Sequence, residues 1–123
     1  MVPMDAAQDA IDWKVPRLLA AQLDDDVVTS ILDAYSEQLP MRAATMRASV
    51  PVGGTTLRDA AHALTASSLT IGAERLGHLC RDIESTLALG DDDRARALAT
   101  KALDEIDNVT VALQRSPWHR ADR

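Results

Sequence analysis

Three aromatic side chains in 123 residues, Trp13, Tyr35 and Trp118, with no phenylalanine, restrict how this chain can bury apolar surface. A core without large rings must be filled by Leu, Ile, Val, Met and many alanines, and that composition favours helix in bulk. A β-sandwich of this length draws instead on β-branched and aromatic residues in alternating strands. The apolar positions recur near every 3.6 residues. They predict an all-α chain: an antiparallel four-helix bundle with a short N-terminal helix capping one end.

Pro16 suits a first helical turn, where its fixed φ and missing N–H cost nothing. A short helix is expected from Arg17 to Leu23, apolar at Leu18, Leu19 and Leu23. The Asp24-Asp25-Asp26 run supplies a cap and carboxylates for the positive end of the next helix. That helix, over 25–48, carries Val28, Ile31, Leu32, Tyr35, Leu39 and Met46, with a kink expected at Pro40. Pro51-Val52-Gly53-Gly54 reads as a loop, after which Thr55 or Thr56 is expected to cap a helix over 55–70. Its apolar face is Leu57, Ala61, Leu64, Ser68 and Ile71. Gly72 turns the chain into a helix over 73–89, striped with Leu76, Leu79, Cys80, Ile83 and Leu87 and stopped at Gly90. Asp91-Asp92-Asp93 opens the last helix, over 92–115, with Leu98, Ala102, Ile106, Val109 and Leu113 inward. Residues 1–13 are expected to form a flexible arm, 14–115 the bundle and 116–123 a flexible tail.

The formal net charge of −6 supplies no basic face for nucleic acid. A single cysteine, Cys80, excludes an intramolecular disulfide and a multi-cysteine zinc site. No apolar run reaches the roughly 20 residues that span a bilayer, and Met1-Val2-Pro3-Met4-Asp5 lacks the layout of a secretory signal. A soluble, cytoplasmic protein is the expectation. There is no Gly-rich phosphate loop, His-Glu-x-x-His or nucleophile elbow. His78, Cys80 and Glu84 have poor helical spacing for a metal, and the aspartate triplets lack the alternating ligands and Gly turn of a calcium loop. His78 and His119 read as a surface and a tail residue, and Cys80 as a small core residue.

His62 stands apart from these. At about 100° per residue it lies roughly 200° from Leu64, off the core stripe, in a row with Arg58, Thr65, Ala66 and Leu69. Its neighbours are small, so an imidazole there is open to another protein. Spacing alone favours a plain surface histidine.

The surrounding motif singles it out. Residues 59–76, Asp-Ala-Ala-His-Ala-Leu-Thr-Ala-Ser-Ser-Leu-Thr-Ile-Gly-Ala-Glu-Arg-Leu, resemble the signature of histidine phosphotransfer (HPt) domains. That pattern runs Ala-His-x-Leu-Lys-Gly-x-Ser, then Gly-Ala and a Leu-rich helix ending in Leu-Glu or Ile-Glu. Ala61, His62, Leu64, Ser68, Gly72, Ala73, Leu76, Leu79 and Glu84 fall in place, and Tyr35 stands where the family favours an aromatic. The resemblance extends over about residues 14–115 and implies the four-helix bundle that periodicity also predicts.

Two positions depart from the pattern. The family's Lys, which helps neutralise the phosphoryl group, is Thr65 here, and the Gly that admits the partner's loop is Ala66. Thr65 can donate one hydrogen bond but supplies no charge. Arg58, one turn before His62, is a candidate replacement cation. If the third and fourth helices form a hairpin centred near residue 73, residues 62 and 84 both lie about 16 Å along their helices and so side by side. A Glu84 carboxylate there can accept from one imidazole N–H, hold the tautomer and leave the other nitrogen free. Gly77, one heptad earlier, keeps that helix face thin.

The resemblance implies a phosphocarrier module rather than an enzyme. His62 would take a phosphoryl group from a receiver-domain aspartate and return it to another; Glu84 would orient the imidazole; Arg58, Thr65, Ala66, Ser68 and Leu69 would form the phosphate and docking environment. The partner is a receiver domain of a response regulator or hybrid sensor kinase, which brings the Mg²⁺, so the module needs no cofactor or metal of its own. It is expected to be a monomer without nucleic-acid or membrane contact, free-standing or tethered to a membrane-bound sensor kinase. The alternative is an HPt-like adaptor that binds a receiver or kinase without taking phosphate; a third reading is a purely structural helical domain.

Overall fold

The computed structural model describes residues 7–118. The chain runs through α1 (Lys14–Gln22), α2 (Asp25–Ser49), α3 (Gly54–Ile71), α4 (Glu74–Ala88) and α5 (Asp92–Gln114). No strand occurs among the described residues. The links between α2 and α5 are two to four residues long, so successive helices must run antiparallel. α2 also packs on α5, which closes the ring of four, and α1 lies against α2 and α3. The result is the expected four-helix bundle with a short N-terminal helix.

The core is aliphatic, as the shortage of rings requires. Leu39 and Met46 of α2, Leu57, Leu64 and Ile71 of α3, and Leu76 and Ile83 of α4 are wholly buried, each such side chain contributing about 1.5–3 kcal/mol by leaving water. α5 supplies small residues instead: Ala95, Ala99 and Ala102 have no exposed surface, and their short side chains let the neighbouring helices approach closely. Glu105, off the predicted apolar stripe, is also buried. Its Oε1 accepts from Asn108 Nδ2 at 3.0 Å and Arg75 at 3.4 Å, whereas Oε2 has no partner among the described residues. No helix among the described residues is long and apolar enough to cross a membrane.

The acidic triplets cap helices. Asp24 accepts from the Val27 N–H at 2.9 Å and Asp91 from the Arg94 N–H at 3.1 Å. α3 differs from expectation: Gly53, not Thr55 or Thr56, is its N-cap, with no side-chain cap bond. The reason is the backbone conformation of the turn. Gly53 has φ +69°, and a β-carbon there would sit 2.8 Å from Asp92 Oδ2 and 2.9 Å from an Arg96 guanidinium nitrogen, while Arg96 Nε donates to Val50 O at 2.9 Å. The left-handed φ favours glycine at this turn, and the ends of the Asp92 and Arg96 side chains lie over it. α2 passes through Pro40 without interruption; Ser36, whose carbonyl loses its donor there, is exposed, so water can replace the bond.

Both ends of the described chain pack against the bundle. Ala10 and Ile11 are buried, and the Asp12 N–H donates to Gly72 O at 2.9 Å. Gly72, at φ +93°, admits this segment because a β-carbon would come within 2.5 Å of Asp12 O. Two apolar side chains in an alanine-rich run suffice to hold residues 7–13 down. At the other end Ser116 is buried and Trp118 Nε1 donates to Thr29 Oγ1 at 3.2 Å. Residues 1–6 and 119–123, His119 included, lie outside the described residues. In α1 the buried residue is Pro16, while Leu18 and, at the C-cap, Leu23 face solvent.

Candidate functional site

α3 and α4 are joined by only Gly72 and Ala73, so their registers are locked from the turn outward. Gly72 takes the left-handed conformation that ends α3, and the Ala73 N–H closes back on Ser68 O at 2.8 Å. Eleven residues along each helix from Ala73, the hairpin brings His62 and Glu84 together: Nδ1 and Oε1 are 2.8 Å apart. Because a carboxylate only accepts, Nδ1 carries the shared proton. Nε2 has no hydrogen-bond partner among the described residues, and the His62 side chain is 78% exposed. The imidazole is thus anchored by one nitrogen and open at the other.

The second carboxylate oxygen is also engaged. Thr65 Oγ1 donates to Glu84 Oε2 at 2.7 Å, with Ala61 O as a longer 3.1 Å contact. Glu84 therefore receives one donor on each oxygen, both from α3. Sequence reasoning placed Thr65 towards the phosphate and missed this contact. The signal was present: Thr65 follows His62 by one helical turn, so a carboxylate reaching His62 from the next helix lies against it.

The remaining expected site residues divide. Ala66 is exposed beside His62. Arg58 is exposed one turn before it, its guanidinium 3.7 Å from Asp59, and makes no contact with the imidazole. Leu69 is half-buried and folded over Gly77. Ser68 is not a surface residue at all. It is fully buried, with Oγ 2.8 Å from the Tyr35 hydroxyl, because it belongs to the α3 core stripe and needs a polar partner inside the bundle. Burial raises the Tyr35 hydroxyl above its ordinary pKa, the Ser68 bond opposing that shift in part. Below the site Cys80 is buried, its thiol pushed up to about 12 by burial and then by the nearby Glu84 charge. His78 is exposed on α4. No three His, Cys, Asp or Glu side chains converge as metal donors among the described residues.

The helical bundle thus holds an exposed histidine on its side, tied by a carboxylate from the adjoining helix. Residues 30–116 match the family model of the Hpt domain, and the chain belongs to that family of histidine phosphotransfer modules in phosphorelays. Its fold is similar to that of histidine-containing phosphotransfer protein B from Pseudomonas aeruginosa, with a TM-score of 0.75 and 24% identity over 86% of this chain and 92% of that one. No curated protein matches it. Hpt domains are phosphocarriers that interact with receiver domains.

Proposed function

We propose that His62 is the phosphoacceptor, with Nε2 the attacking nitrogen and Glu84 the group that orients and balances the ring. The observation that supports this is the 2.8 Å Nδ1–Glu84 bond on an otherwise exposed imidazole. With the proton on Nδ1, the Nε2 lone pair is free to attack the phosphorus of a receiver's aspartyl phosphate in line. The N–P bond forms, the P–O bond to the aspartate breaks, and its electron pair leaves with the receiver's carboxylate. The ring, having lost electron density, becomes imidazolium-like, and the Glu84 carboxylate beside Nδ1–H stabilises that charge. Transfer onward reverses the same steps on another aspartate.

In this reading the receiver, from a response regulator or hybrid sensor kinase, supplies the aspartate and the Mg²⁺, and this chain contributes presentation. Arg58 and Ala66 line the contact, with Leu69 at its edge. The module works as a cytoplasmic monomer, free or as part of a sensor kinase. The test is incubation with a phosphorylated receiver and Mg²⁺. Acid-labile phosphate is expected on the wild-type chain and none on His62→Gln, with helicity unchanged. A receiver that binds tightly but transfers nothing to the wild type would establish the adaptor instead.

A further inference from the structure

We infer that Thr65 is a positioning residue for phosphoryl transfer: its hydroxyl locks the Glu84 carboxylate, and through it the Nδ1–H tautomer of His62. This inference rests on His62 being the phosphoacceptor. Helical Thr side chains commonly donate to the carbonyl four residues back, and Thr70, Thr100 and Thr110 do so at 2.8, 3.2 and 2.9 Å with no other partner among the described residues. Thr65 departs from its own kind. Its backbone contact is 3.1 Å, whereas the bond to Glu84 Oε2 is 2.7 Å, in the range of a charge-assisted O–H···O⁻ bond. One hydroxyl carries one proton, and the shorter, charged acceptor takes it.

Glu84 is a long side chain on a neighbouring helix, 23% exposed, with rotamer freedom to lose. A single bond to His62 would leave the carboxylate free to swing. Thr65, stiff at χ1 because it is β-branched, holds the second oxygen and so fixes the plane in which the first meets Nδ1. The same engagement withdraws the Thr65 hydroxyl from the phosphoryl oxygens. Where the family pattern places a cation to meet the phosphate, this chain places a donor that faces the carboxylate.

The test compares wild type, Thr65→Val, which keeps the shape and removes the hydroxyl, and Thr65→Ser, which restores it. The ¹⁵N shifts of the His62 ring at mildly alkaline pH report the tautomer without any phosphate present. Loss of one hydrogen bond is expected to lower the Nδ1–H to Nε2–H ratio about three- to tenfold in Thr65→Val. The initial rate of uptake from a phosphorylated receiver should fall in step, and Thr65→Ser should recover both. Thr65→Ala gives the same readouts should the valine variant fail to fold. An unchanged tautomer ratio in the folded variant overturns the inference, even if His62 takes phosphate normally. A wild type that takes no phosphate while the ratio still shifts defeats the phosphoacceptor reading and leaves the lock on His62 in place.

Discussion

Leu69 lies across the bare backbone of Gly77, so that a β-carbon at position 77 would sit 2.5 Å from Leu69 Cδ2 and 2.6 Å from Cγ. This contact lets α3 and α4 close on each other two turns from the His62–Glu84 pair. Ala is a better helix former than Gly by about 1 kcal/mol, but overpacking costs about 1–3 kcal/mol. Gly77→Ala is therefore expected to destabilise the protein in urea denaturation. Combining it with Leu69→Ala should cost less than the two separate changes added together, because the clash has then lost one of its partners.

Ile11→Ala should lower stability by about 2–5 kcal/mol, the range for emptying a core site, because Ile11 is 2% exposed. An arm that did not dock would show no change in the urea midpoint.

Stability should decline in alkali. The Cys80 thiol is held protonated in the fold up to about pH 12, whereas in the unfolded chain it ionises near its ordinary value of about 8.5. Between those values the unfolded state binds fewer protons, so unfolding becomes easier as pH rises; below them the contribution is fully present. The buried Tyr35 hydroxyl acts in the same direction. Urea midpoints measured up the alkaline range should fall, and Cys80→Ala should fall less steeply. At neutral pH the native thiol should resist alkylation.

Thr65→Lys replaces a neutral donor with an ammonium one turn from His62, the proposed phosphoacceptor. A phosphoryl group carries close to two negative charges, so the phosphohistidine should hydrolyse more slowly than in the wild type, as read by loss of label over time. An unchanged lifetime would show that another group already does the work of that charge.

The helices were legible because their apolar stripes are long and their breaks are marked by Gly72, Gly90 and two acidic triplets that do cap. The approach of His62 to Glu84 was legible too, since a two-residue hairpin turn fixes register by counting. What was hidden depends on tertiary neighbours. Nothing near Thr55 announces Arg96, which comes from the far end of the chain to lie over Gly53. Ser68 is a polar residue in both the motif and the stripe, and only its bond to Tyr35 decides for the interior. Ile11 sits among polar residues and small alanines, too few for a periodic signal, and the Gly72 carbonyl that holds the adjoining Asp12 is remote in sequence.

The two tryptophans both lie outside the helices of the ring, Trp13 just ahead of α1 and Trp118 beyond α5, and each packs against the core from a terminal segment. Intrinsic fluorescence in this protein therefore watches how its ends are fastened, while far-ultraviolet circular dichroism watches the helices. The common practice of treating the two signals as reporters of one event has here a built-in check. If the end segments peel away before the bundle opens, the emission will change at lower denaturant than the ellipticity, and the gap between the curves will measure how tightly the ends are held.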